Sequence, residues 1–292
     1  WAVGLGGPNP DYGKSIAFDG VGGMLVMGYF SGTAAFGAAS LTSVGSVDVF
    51  VAHLSGAGVV DWAVGTGGVE YDYGRGFASD GAGGALVTGY FGGTAAFGAA
   101  SLTSTGDSDV FVAHVSNGGV VDWAVGMGGI EADQGYGIAF DASGNLLVTG
   151  YFEGTAAFGV WLDETLVSRG GPDSFIDYIP HWSIPSLSPS LPPPPEPSTP
   201  PLPTPPLSPS VLHPSPGTLV SGAAAQNAVQ WAVGLGGPNP DYGKSIAFDG
   251  VGGMLVMGYF SGTAAFGAAS LTSVGSVDVF VAHLSGAGVV DW

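Results

Sequence analysis

Cysteine is absent from this chain of 292 residues, and basic residues are scarce. Without cysteine there can be no disulfide, no thiolate nucleophile and no cysteine-ligated metal. Lysine and arginine together number 4 against 23 acidic residues, so the formal net charge is −19 at pH 7. Such a chain is repelled by phosphate backbones and by anionic lipid, which argues against partners of either kind. No apolar stretch reaches the ~18 residues that a membrane-spanning helix needs.

Glycine is abundant, with 54 residues, and the glycines recur within a sequence repeat. The repeat has four copies, at 1–61, 62–122, 123–182 and 231–292. The second copy aligns with the first without a gap, the third degenerates after Gly159, and the fourth is identical to 1–62. Because the glycines lack the every-third spacing of collagen, they indicate turns between short structural elements.

Within one copy the local pattern is that of β-strands. The phrase VVDWAVG (59–65) alternates between two faces, and VDVFVAHL (47–54) forms another such run. The stretch 14–30 reads as two strands around a tight turn at Asp19–Gly23. No segment has a sustained helical period. Four short strands per copy, in tandem and separated by glycine, predict an all-β fold built from the four-stranded blades of a β-propeller.

The order of these motifs resembles the beta-propeller repeat family known as SBBP, for seven-bladed beta-propeller. The matching positions of the first two copies are Gly6, Gly7, Asp11, Gly13, Asp19, Gly28, Tyr29, Phe30, Asp48 and Phe50, and Gly67, Gly68, Asp72, Gly74, Asp80, Gly89, Tyr90, Phe91, Asp109 and Phe111. The third copy adds the family-like turn DASGN (141–145). The resemblance implies a propeller that often lies outside the cell or on its surface, and it brings no catalytic residues.

A proline-rich segment interrupts the array. Residues 183–216 contain most of the 21 prolines and are predicted to be a disordered linker in polyproline II conformation. The segment is also a candidate ligand for proline-recognising modules. Residues 217–292 are predicted to form a further propeller-like repeat. Because closed propellers usually have four to eight blades, we expect this chain to be an incomplete part of a longer array.

Aspartates recur at three positions of the repeat and are the first candidates for chemistry. They are Asp11, Asp19, Asp48, Asp72, Asp80, Asp109, Asp133, Asp141, Asp173, Asp241, Asp249 and Asp278. Because each is copied into every repeat, we expect copying to spread them apart rather than to gather an acid–base pair. We interpret them as turn caps and as acceptors of hydrogen bonds between blades. DGVGG (19–23) and EYD (70–72) are weak calcium patterns, so no metal site is predicted.

Histidine and tryptophan also recur once per repeat. His53, His114 and His283 occupy one strand position, and each is predicted to make a single hydrogen bond at a blade edge or between blades. The spacing of these histidines is not that of zinc ligands. The tryptophans Trp1, Trp62, Trp123 and Trp231 are predicted to lie in the core between blades, with an exposed sugar-binding platform as the alternative. The glycines at 4–7 are followed by no helix, which argues against a phosphate site.

The sequence therefore predicts no catalytic residue, no cofactor and no metal site. The predicted function is a non-enzymatic scaffold for recognition or adhesion outside the cell, with a protein or glycan ligand. A polysaccharide lyase or hydrolase and a purely structural wall component are the alternatives. An enzyme should carry charged residues that are unique to one repeat. The unique ones are Glu153, Asp163, Glu164, Arg169 and Asp177.

Overall fold

The computed structural model describes residues 2–141, 144–159, 164–180, 231–248, 253–273 and 278–291. In these residues the fold is all-β, without a helix, and every sheet is antiparallel. No sheet in this part of the chain closes on itself. The predicted linker at 183–216 and residues 217–230 lie outside the described residues. The strands before and after them belong to one compact unit.

The first repeat forms a sheet that the second repeat completes. Its elements are β1 (Tyr12–Phe18), β2 (Met24–Phe30), β3 (Thr33–Phe36), β4 (Ala39–Thr42), β5 (Asp48–Leu54) and β6 (Val60–Gly68). In the sheet, the strands β1, β2, β5 and β6 are neighbours in that order. Along the chain, the hairpin of β3 and β4 lies between β2 and β5, and its two strands pair with each other. Most of β6 already belongs to the second repeat, so each sheet is shared between consecutive repeats.

The later repeats follow the same plan. The second contains β7 (Tyr73–Ser79), β8 (Ala85–Phe91), β9 (Thr94–Phe97), β10 (Ala100–Thr103), β11 (Asp109–Val115) and β12 (Val121–Gly129). The third contains β13 (Gln134–Phe140), β14 (Leu146–Phe152), β15 (Thr155–Phe158), β16 (Glu164–Val167) and β17 (Asp173–Ile179). The fourth contains β18 (Trp231–Leu235), β19 (Tyr242–Phe248), β20 (Met254–Phe260), β21 (Thr263–Phe266), β22 (Ala269–Thr272) and β23 (Asp278–Leu284).

The strand that closes the third sheet comes from beyond the proline-rich segment. Strand β18 pairs with β17, with Trp231 opposite Tyr178 and Leu235 opposite Ser174. The order β13-β14-β17-β18 reproduces the order of the first two sheets. The third and fourth repeats are therefore joined through a shared sheet, as the first and second are.

The inserted hairpin was not predicted, because its short strands are rich in small residues and lack a clear alternation. The hairpins of the second and third repeats pair with the end of the strand that closed the preceding sheet, as Gly67 and Gly68 do with Ala96 and Ala95. A side chain at Gly68 would overlap the carbonyl oxygen of Thr94. The Gly-x-Gly-Gly phrase thus permits a close approach of two backbones.

The core combines a phenylalanine cluster within each repeat with apolar contacts between repeats. In the first repeat Phe36 lies 5.9 Å from Phe30 and 4.6 Å from Phe50 between ring centres, and all three rings are buried. Trp123 is buried, and half-buried Trp62 packs against the core and donates from Nε1 to the carbonyl oxygen of Asn117. The predicted core position is confirmed for these two tryptophans. The side chains of Trp1 and Trp231 lie outside the described part.

Asp19 closes the predicted turn and connects it to a histidine. Its Oδ1 accepts the backbone N–H groups of Val21, Gly22 and Gly23 at 2.8–2.9 Å, and its Oδ2 lies 2.8 Å from Nε2 of His53. The hydrogen bond from His53 lowers the pKa of Asp19 to about 2. The turn-cap interpretation is confirmed here.

The histidine prediction was wrong in one respect, because His53 contacts two carboxylates rather than one. Its Nδ1 lies 2.9 Å from Asp61, and the ring stacks on Trp62. The arrangement recurs at His114, between Asp80 and Asp122. Both ring nitrogens of each histidine therefore face a carboxylate.

We expect Asp19→Ala to lower the melting temperature at pH 7 more than Asp61→Ala does. The first change leaves three turn amides and His53 without their acceptor, whereas the carboxylate of Asp61 is half exposed. The pKa of Asp19 is lowered on folding, so its contribution is present above the unfolded value near 4 and is lost as pH falls toward 2. Thermal unfolding at pH 7 and pH 3 measures both effects; an equal loss for the two variants would contradict the turn-cap role.

Candidate functional site

The most distinctive polar feature is a cluster of tyrosines and basic residues at the starts of β1, β7, β13 and β19. We define the tyrosine–cation cluster as Tyr12, Tyr29, Tyr73, Tyr90, Tyr136, Tyr151, Tyr242 and Tyr259 with Lys14, Arg75 and Lys244. It contains eight of the 10 tyrosines and three of the 4 basic residues of the chain. Its rings are half-buried or exposed, so each can present a surface to a ligand.

A β-bulge at the same place in every repeat positions the basic side chains. The register of β1 against β2 shifts between Gly13 and Ser15, on either side of Lys14. Equivalent shifts flank Arg75 in β7, Tyr136 in β13 and Lys244 in β19. A bulge turns its extra residue away from the regular alternation of the strand. The first, second and fourth repeats thus present a cation at this point, and the third repeat presents the phenol of Tyr136.

Ring contacts connect the cluster across the repeats. Tyr29 meets Tyr73 edge-on at 4.7 Å between ring centres, and Tyr151 meets Tyr242 in the same way at 4.9 Å. These contacts join rings of different repeats, and cross-strand pairs extend them, such as Tyr12 with Tyr29 at 5.0 Å. The rings thus form an aromatic surface of two groups of four tyrosines, one in the first two repeats and one in the last two.

Arg75 lies at the middle of this surface. Its guanidinium carbon is 5.5 Å from the ring centre of Tyr90 and 6.0 Å from that of Tyr136, and Nη2 donates to the hydroxyl of Tyr90 at 3.2 Å. The buried Nε has no hydrogen-bond partner among the described residues. Lys244 stands over the ring of Tyr136, and burial, followed by the charge of Arg75, lowers the pKa of Lys244 to about 8.

No carboxylate of the described residues forms an ion pair with the three cations of the cluster. The tyrosine rings offer cation–π attraction instead, which is weaker than a charge-assisted hydrogen bond to an anion. In a chain with 23 acidic residues this arrangement concentrates positive charge at one place. The cluster can therefore accept an anionic group that the rest of the surface repels.

A cavity of about 550 Å³ adjoins the cluster at the second repeat. Tyr71, Tyr73 and Tyr90 supply its aromatic lining, and Glu70 and Asp107 supply carboxylates. Aromatic rings with nearby hydrogen-bond acceptors can hold a polyhydroxylated ring by stacking and by accepting its hydroxyl protons.

Sequence reasoning missed this cluster. The signal was nevertheless present, because Lys14, Arg75 and Lys244 occupy one repeat position in a chain with so few basic residues. The repeated tyrosines were read only as family motif positions.

The structure also brings together carboxylates that were expected to stay apart. Asp48 and Asp72 both lie against Gly67, where an added Cβ would be 2.9 Å from Oδ1 of Asp48 and 2.8 Å from Oδ2 of Asp72. The same pairing occurs at two further repeat boundaries, with Asp109 beside Asp133 and Asp173 beside Asp241. The expectation that copying separates the aspartates was wrong, because different positions of consecutive repeats meet.

Burial dominates the electrostatics of these pairs. Burial is the main reason that the pKa of Asp72 is raised to about 7; the hydrogen bond from the N–H of Gly68 opposes this shift, and the charge of Asp48 adds to it. Burial likewise raises the pKa of Asp133 to about 7. In the described part of the chain no group of three or more histidine, aspartate or glutamate side chains could hold a metal ion. Two carboxylates alone fall short of the six to eight oxygens that calcium takes.

The charged residues unique to the third repeat do not converge on one site. The backbone of Glu153 donates to Asp133, while Arg169 donates from its backbone to Asp173 and from Nη1 to the carbonyl oxygen of Gly236. Glu164 is exposed, and Asp163 lies outside the described residues. Asp177 is fully buried in β17, where the other repeats have alanine.

The sequence matches no protein-family model, and it matches no curated protein. The resemblance to the SBBP repeat family therefore stays a prediction. Among the described residues no helix is long and apolar enough to cross a bilayer.

We expect Asp177→Ala to stabilise the protein by a few kcal/mol at pH 8. Both side-chain oxygens of Asp177 are buried, and burial raises its pKa to about 7 although the backbone of Gly159 opposes the shift. The stability associated with a raised pKa is fully present below the unfolded value near 4 and is lost as pH rises to 7. The gain from alanine should therefore be small at pH 4 and largest above pH 7.

Urea denaturation of both proteins at pH 4, 6 and 8 checks this prediction. Asp107→Ala is the control, because it removes an exposed carboxylate and the same unit of charge. A gain from Asp177→Ala that does not vary with pH would rule out the buried charge as its cause.

Proposed function

We propose that this chain is a non-enzymatic recognition scaffold of the β-propeller type, and that its tyrosine–cation cluster binds a glycan carrying acidic groups. Location outside the cell or on its surface is part of the proposal. The recurring order of four neighbouring strands, as in β1-β2-β5-β6 and β7-β8-β11-β12, and the family resemblance support the propeller arrangement.

One observation carries the choice of ligand: three of the 4 basic residues of an acidic chain are gathered among tyrosines, without a carboxylate partner in the described part of the chain. Uronate or sulfate groups of a glycan could pair with the half-buried guanidinium of Arg75 and with the ammonium of Lys244. The tyrosine faces suit sugar rings between those groups. A nucleic acid fits less well, because its regular phosphates would meet the net charge of −19.

The polysaccharide-active enzyme stays the alternative. Its best support would be a carboxylate pair with shifted pKa values, and the pairs at the repeat boundaries have that property. They are buried and occur at three successive boundaries, which favours a structural role. Release of reducing ends or unsaturated products from a polysaccharide panel would favour the enzyme instead.

We expect the protein to bind a trisaccharide of galacturonic acid and to bind the neutral trisaccharide of glucose more weakly. Arg75→Gln should reduce affinity for the acidic trisaccharide about tenfold or more, since it removes charge-assisted hydrogen bonds. Isothermal titration calorimetry gives the affinities.

Arg169→Gln is the matched control, because it removes the same charge outside the cluster. Lys14→Gln offers a second test at an exposed cation beside Tyr12 and Tyr29. Equal binding of the acidic and neutral trisaccharides, or equal losses in Arg75→Gln and Arg169→Gln, would contradict the proposal.

A further inference from the structure

Two segments of identical sequence have opposite surfaces exposed in this structure. Residues 1–62 and 231–292 are the same, yet the first repeat is covered by the second on one face, and the fourth is covered by the third on the other. The surface that is exposed in one segment is therefore buried in the other, where the element that packs on it can be identified.

The open surface of the fourth repeat lies on β20 and β23. Val279 is 69% exposed and Met257 is 42% exposed. The identical residues of the first repeat, Val49 and Met27, are both 0% exposed because they belong to the core shared with the second repeat. The fourth repeat therefore presents a face that is completely buried when a following repeat packs on it.

The open surface of the first repeat lies on β1. Ile16 is 65% exposed, whereas its identical counterpart Ile246 is 7% exposed, packed against Leu147 and Ile176 of the third repeat. At the preceding boundary Ile138 packs in the same way against the second repeat. An exposed β1 is thus the surface that a preceding repeat covers.

The strand edges are complementary too. In the described part, β23 has a full ladder only on its β20 side and a single bridge, from Leu284 to Val290, on the other side, whereas β5, β11 and β17 each have ladders on both sides. The missing neighbour corresponds to the Trp-Ala-Val-Gly-Leu phrase that forms β18 on β17. Residues 2–5 carry the end of the same phrase and belong to no strand, and Val3 is 42% exposed.

We propose that the fourth repeat of one chain docks on the first repeat of a second copy. Residues 2–5 of the second copy extend the sheet at β23, and its β1 covers Val279 and Met257. The contact reproduces the junction between the third and fourth repeats, where β18 pairs with β17 and β19 packs on the same face.

Such an interface is heterologous, so it generates a closed ring or an open chain of copies.

The test measures the mass of the 1–292 chain by sedimentation at a series of concentrations. The wild type should form a dimer or larger assembly, whereas Val279→Asp and Ile16→Asp should each remove the ring-closing association. Both positions are exposed in the single chain, so neither change disturbs its core. Val120→Asp is the control, because Val120 is equally exposed and its counterparts Val59 and Val289 are exposed too.

Mixing the two variants makes the test specific. Val279→Asp retains an intact first repeat and Ile16→Asp an intact fourth repeat, so an equal mixture should form dimers with one junction, although each variant alone is monomeric. A wild-type chain that stays monomeric at every concentration would overturn the proposal, as would a mixture that stays monomeric. Because the readout is mass and not glycan affinity, this result is independent of the ligand experiment.

Discussion

The architecture depends on a strand that two neighbouring repeats share. Strand β6 pairs with β5 of the first repeat along most of its length, and its last residues, Gly67 and Gly68, pair with the hairpin strand β9 of the second. One strand thus satisfies backbone groups of two repeats, and the absence of side chains at its end allows the backbones to approach. A repeat without its neighbour lacks both a strand and a covered face, so stability is a property of the junctions.

The shared strand also determines where charge is buried. The crossing brings Asp48 and Asp72 together against Gly67, and burial raises the pKa of both carboxyls. The boundaries are not equivalent, because at Asp173 the guanidinium of Arg169 opposes the shift caused by burial. Copies of one sequence phrase therefore differ in electrostatics when a single neighbouring residue changes.

The sequence was sufficient to predict elements that depend on local pattern. The alternation in VDVFVAHL and VVDWAVG located β5 and β6, and the aspartate with its glycines located the turn at Asp19–Gly23. The hairpins were missed because their small residues alternate weakly. The aspartate pairs and the tyrosine–cation cluster were missed for another reason: their members lie in different repeats, and no local pattern reports which faces meet. The sequence identified Asp177 only as a charged residue unique to the third repeat, and it did not show that this carboxyl is buried.

In a repeat protein, whether a side chain is buried depends on the neighbouring repeat as well as on the residue itself. Val49 and Val279 have the same sequence around them and the same strand position, yet one is enclosed and the other largely open. Their apolar character predicts only that this face of the repeat is buried against another element. The structure identifies that element, because every buried copy of the face lies against the first strand of the following repeat. The tyrosine–cation cluster obeys the same geometry, since those first strands also carry Tyr12, Arg75 and their counterparts. Association that continues the array would therefore extend the aromatic surface together with the core.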